Sequence, residues 1–112
     1  MINYIYNIYK LIINEIERMI IMPKQQTVQI TNRTGLHANP AAKFVKKAVQ
    51  FESKVNIVFE GKEVNAKNIM GITSLGVGTG NEILIKTEGE DESEAIRELV
   101  DFVKLELPKG DE

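Results

Sequence analysis

The chain carries a single histidine, His37, inside the stretch "NRTGLHANPAAKFVKKA" at residues 32 to 48. An imidazole can act as a metal ligand, a general base or a covalent nucleophile. Metal binding needs several converging ligands, yet the sequence has no cysteine and no second histidine. No spaced carboxylate pair lies near His37 either, so no metal and no other cofactor is expected. A general base would need a hydroxyl to activate, and Thr34 and Ser74 qualify only by default, because no G-x-S-x-G elbow surrounds them. The nucleophile role fits the surroundings better. A helix start presents unpaired backbone N–H groups and a partial positive charge, which together hold a phosphate. Pro40 removes one donor, which leaves the amides of Ala38, Asn39 and Ala41. An imidazole at that position could take a phosphoryl group on a ring nitrogen. A helix cap or a solvated surface imidazole is the plain alternative, and spacing does not separate it from the acceptor.

The elements around His37 follow from periodicity. Thr27–Thr31, "TVQIT", puts Val28 and Ile30 on one side of a strand, and the turn "NRTG" follows. Ala41, Phe44, Val45, Ala48 and Val49 then recur at helical spacing, while Lys43, Lys46, Lys47 and Gln50 fall elsewhere. This predicts an amphipathic helix of about three turns, with Pro40 tolerated in the first. "KVNIVFEGKEVNA" alternates through Val55, Ile57 and Phe59, turns at Glu60-Gly61 and resumes with Val64 and Ala66, a hairpin signal. Asn68 as N-cap and Gly76 as terminator bracket a short helix of about two turns. Ile83 and Ile85 alternate against Leu84 in a further strand. Asp91 followed by Glu94 reads as a capping box, and Ile96, Leu99, Val100, Val103 and Leu107 carry the last helix to Pro108. Each strand has one apolar side, so the helices should cover one face of a four-stranded sheet.

Composition limits the partners. The 112 residues fit one globular domain, and 14 Lys+Arg against 16 Asp+Glu leave no basic face for nucleic acid. The lack of cysteine fits a reducing, cytoplasmic setting. Residues 1–21, "MINYIYNIYKLIINEIERMII", differ in character from the rest. A bilayer span takes about 20 apolar residues, and Asn7, Lys10, Asn14, Glu15, Glu17 and Arg18 interrupt this run; no signal-peptide pattern is present. Ile2, Ile5, Tyr9, Ile12, Ile16 and Met19 share a helical face that would suit partner pairing or adsorption to a membrane surface. The plainer reading takes Met22-Pro23 as a second start, with 1–21 an extension and 22–112 the functional unit.

Residues 22–112 resemble HPr, the histidine-containing phosphocarrier family of the bacterial phosphoenolpyruvate-dependent sugar phosphotransferase system. The motifs "TGLHANPAAKFV" and "VNAKNIMGITSLGV" carry the resemblance, with "EGEDESEAIRELV" as weaker support. It implies an α+β, open-faced β-sandwich: a four-stranded antiparallel sheet covered on one face by three helices. It also implies that His37 is phosphorylated by enzyme I and passes the group to sugar-specific acceptor proteins. Membrane contact would then be indirect, through the permease components. Two positions depart from the family pattern. Arg usually stands where this chain has Asn39, and a neutral amide lacks the charge-assisted contact a guanidinium makes to phosphate. A binding module with weakened or lost transfer is therefore the alternative function. Asn68 occupies the position of a regulatory serine; it keeps an N-cap side chain but has no hydroxyl to phosphorylate.

The resemblance places Ile69, Met70 and Thr73 on the partner-docking patch, with Met70 expected exposed and Leu75 buried. Lys43, Lys46 and Lys47 could steer an acidic partner, although a solvated face is the simpler account. "LGVGTGNE" is a poor phosphate loop, because it precedes a strand and lacks the following Lys-Ser or Lys-Thr. "EGEDESE" lacks calcium-loop spacing.

Overall fold

The computed structural model describes residues 1–20 and 24–111. The Met22-Pro23 step and the boundary between residues 21 and 22 lie outside the described residues, as does the side chain of Met19. In chain order the elements are α1 (Ile2–Ile20), β1 (Lys24–Gln29), α2 (Ala38–Ala48), β2 (Lys54–Phe59), β3 (Lys62–Asn65), α3 (Ile69–Thr73), β4 (Glu82–Glu88) and α4 (Glu92–Asp101). The sheet is antiparallel with strand order β1-β4-β2-β3. The last strand of the sequence, β4, thus fills the space between β1 and β2, and α2, α3 and α4 lie over one face. This is the α+β open-faced sandwich expected from the sequence.

Alternation along the strands supplies the sheet's half of the core. Val28, Val55, Ile57, Ile83 and Ile85 point inward and are buried. They meet Ala41, Phe44 and Ala48 of α2, Ile72 of α3, and Ala95, Leu99 and Val100 of α4. Phe44 is fully buried and meets Phe102 edge to face at 6.3 Å between ring centroids. Truncating such a side chain to alanine costs about 3–5 kcal/mol. Among the described residues none of this core comes from α1: Ile5, Tyr9, Ile12 and Ile16 on its apolar stripe are exposed.

Three local expectations are revised. The first strand begins at Lys24, ahead of the apolar alternation, because β4 is long enough to pair every residue from Lys24 to Gln29. The Asp91–Glu94 capping box does not form. The Asp91 carboxylate instead accepts hydrogen bonds from the Glu52 and Ser53 amides at 2.9 and 3.0 Å and from the Ser53 hydroxyl. Ser53 is buried, and its donors outcompete the helix start for that carboxylate. The last helix also changes pitch before Pro108: α4 ends at Asp101 and a π-helical turn covers Phe102–Glu106. The Leu107 amide donates to the Phe102 carbonyl at 3.0 Å, which keeps Val103 and Leu107 buried while Leu105 faces solvent. A proline clashes with the carbonyl four residues before it, and the widened turn relieves that conflict.

Elsewhere the local reading holds. Glu60 and Gly61 both have positive φ, 49° and 79°, the geometry of a tight two-residue hairpin turn. Asn68 caps α3, and Gly76 at φ 68° closes the turn after it.

Candidate functional site

The segment leading to His37 is pinned from two sides. Gly35 adopts φ 63°, and a side chain there would run into the Val77 carbonyl, so the turn closes only with glycine. The Asn32 side-chain amide donates to the Gly35 carbonyl at 2.7 Å, and the Leu36 amide donates to Val77 O at 3.0 Å. Leu36 is buried and anchors the turn, so the next residue, His37, emerges at the surface. The "GVGTGN" loop is the other half of this support: Ile30 N donates to Asn81 O, Gly80 N donates to Ile30 O, and the Asn81 side chain accepts from Gly78 N at 2.8 Å. Its glycines brace the histidine turn.

His37 is the N-cap of α2, with extended backbone (φ −75°, ψ −173°), and its side chain makes no capping bond. It is exposed, as are Ala38 and Asn39. Ala41 is different. It is buried, and its amide donates to the His37 carbonyl at 2.8 Å as the first bond of the helix. The expectation that Ala41 offers a phosphate donor is therefore corrected, because an engaged, buried N–H is spent on the helix. The Ala38 and Asn39 amides are the first of the helix and have no backbone partner among the described residues.

These residues open onto a concavity of about 600 Å³, lined by Arg33, Thr34, His37, Ala38, Asn39 and Lys43. Leu107 and Gly110 close it from the C-terminal end of the chain. The structure thus adds two cations to the site. Lys43 was legible in principle, since it lies four residues after Asn39 and shares its helix face; only the fold brings in Arg33 and the C-terminal turn. The other lysines expected to steer partners are not equivalent. Lys47 is tied to Glu98 at 3.0 Å and lies over the Phe51 ring at 5.8 Å, whereas Lys46 is exposed.

The proposed docking residues sit on α3, which packs beside α2 and does not line the concavity. Met70 is 76% exposed and Ile69 38%, while Leu75 is buried at 9%. Thr73 is exposed but turns its hydroxyl back to the Ile69 carbonyl at 3.0 Å. Asn68 accepts from the Met70 and Gly71 amides at 3.0 and 3.3 Å, so its side chain is occupied in capping. Ser74 likewise donates to Gly71 O at 2.6 Å.

Residues 24–104 match the family described as "PTS HPr component phosphorylation site". The chain is 48% identical over 83 residues to the HPr-like protein Crh of Bacillus subtilis, covering 74% of this chain and 98% of that one. Among solved structures, HPr of Thermoanaerobacter tengcongensis is 52% identical, with a TM-score of 0.70, covering 72% of this chain and 91% of that chain. The phosphocarrier protein HPr of Bacillus anthracis is 48% identical with a TM-score of 0.70, covering 72% and 96%.

Proposed function

The chain belongs to the PTS HPr family, and from that membership we propose that it is a cytoplasmic phosphocarrier whose acceptor is His37. The observation that carries the reading is an exposed imidazole at a helix start whose own side chain makes no capping bond. A ring nitrogen of His37 attacks the phosphorus carried by phospho-enzyme I. A nitrogen–phosphorus bond forms, and the bond to the donor breaks with its electron pair leaving on the donor. The dianionic group then lies against the Ala38 and Asn39 amides and the positive end of α2. Transfer to a sugar-specific phosphotransferase component reverses these steps. Ile69, Met70 and Thr73 form the contact patch for both neighbours; Met adapts readily to differently shaped partners. The working unit is residues 22–112, and neither a metal nor an organic cofactor takes part.

Incubation with phosphoenolpyruvate and enzyme I tests this. The expected product is an acid-labile, base-stable phosphate mapped to His37 and absent from His37→Ala. A stable phosphoester, or no phosphate on the wild type, would sink it.

A second reading is a regulatory module that docks without efficient transfer. It is favoured by Asn39, which offers phosphate no charge, and by the likeness to the HPr-like protein Crh. Asn39→Arg distinguishes the two. A carrier tuned by Asn39 gains transfer rate, on the order of 10-fold for a new charge-assisted contact, whereas a module whose partners ignore the phosphoryl state does not.

A further inference from the structure

We propose that Lys43, with Arg33 lining the same concavity, is the phosphoryl-binding cation of this site; the inference rests on the phosphoryl reading of His37. The first turn of α2 brings only the partial charge of a helix start, roughly half a unit, and the Asn39 amide is neutral. A phosphoryl group carries up to two negative charges near neutral pH. Two full positive charges line the same concavity as the imidazole, and its described lining contains no carboxylate.

Lys43 is built for this position. It stands one turn beyond Asn39 on the same helix face, and helix side chains lean toward the N-terminus. Both it and His37 line the concavity. Its ammonium rests over Gly110, where an added side chain would collide with it, so the turn Lys109–Asp111 keeps space open for that ammonium. Among the described residues neither Lys43 nor Arg33 is in an ion pair, in contrast to Lys47 with Glu98 and Lys86 with Glu63. Lys46 is unpaired among them as well but does not line the concavity, so Lys43 is the α2 lysine that faces the site.

The test uses the full chain, isotopically labelled, with inorganic phosphate as the probe at constant ionic strength. Phosphate should shift the Ala38 and Asn39 amide resonances. Lys43→Gln should weaken that affinity about 5–10-fold, the worth of one charge at contact distance in water. Arg33→Gln should weaken it by less, and Lys43→Arg should stay within about twofold of wild type because the charge is kept. Lys43 and Arg33 are exposed, so dispersed spectra should confirm that each variant is folded. Unchanged phosphate affinity in Lys43→Gln, or no response of these amides in the wild type, overturns the proposal. If phosphate binds as expected but enzyme I leaves no phosphohistidine, the carrier reading falls and the anion site stands.

Discussion

Two helix starts in this molecule are built in opposite ways. At α3, Asn68 turns its side chain onto the Met70 and Gly71 amides and seals the helix end. At α2, His37 occupies the same structural position with the same extended backbone but makes no capping bond, and the Ala38 and Asn39 amides have no backbone partner among the described residues. A cap is normally worth about 1 kcal/mol, so an uncapped start forgoes stability that the fold could have had. What it keeps is a surface of unpaired N–H groups that an anion can use. The contrast separates a position that holds the structure together from one that is left available for chemistry. A third start, α4, shows another outcome: Asp91 leaves its own helix to hold the buried Ser53.

Sealing the open start gives the largest expected effect. His37→Asp places a carboxylate where the backbone is already in cap geometry, and should abolish phosphate acceptance entirely while raising stability by about 0.5–1 kcal/mol. Parallel phosphorylation and denaturant melts check both halves, and a destabilised variant would break the comparison. Gly35→Ala attacks the turn that presents the histidine. The left-handed backbone and the Val77 carbonyl both reject a methyl group, for a loss of about 2–4 kcal/mol in urea unfolding.

Asp91→Ala should cost roughly 1–2 kcal/mol at neutral pH, after allowance for partial solvent screening, by stranding the Ser53 donors. The Ser53 hydroxyl, foremost, and the Glu52 amide hold the Asp91 carboxyl below its ordinary value of 3.8. Its charged form is therefore favoured by folding, and that part of its contribution is complete above the ordinary value and fades as pH falls through the lowered one. The gap between wild type and variant should narrow in acid; a gap that widens there would contradict the assignment. The smallest effect is expected at the sealed start, where Asn68→Ala should lose about 1 kcal/mol and leave phosphate acceptance at His37 unchanged. A large fall in acceptance would mean that α3 also shapes the phosphoryl site.

How far the sequence could be read depended on the range of the interaction. The hairpin at Glu60-Gly61, the amphipathic face of α2, the Asn68 cap and the one-sided strands depend on neighbours within a few residues, and each is visible in the sequence. The capping box was misleading because Asp91 had a competitor, Ser53, from an element 38 positions away. The start of β1 lies in the polar run "KQQ", which carries no strand signal of its own and becomes strand through pairing with β4. Spacing marks Ala41 only as a residue of the first helical turn, while the bond from its amide to His37 fixes which amides remain.

The sequence by itself determined the imidazole, the glycine that turns the chain ahead of it, the amphipathic helix behind it and the single-sided strands, since each is set by local geometry and by which side chains avoid water. Only the tertiary structure decided which charges reach the histidine. Arg33 precedes the turn, Lys43 follows the first helical turn and Gly110 belongs to the C-terminus. Their meeting depends on a sheet that inserts β4 between β1 and β2 and on a last helix that widens before Pro108. Electrostatic fields act through space, so a binding site's charge is fixed by packing and cannot be summed along the chain.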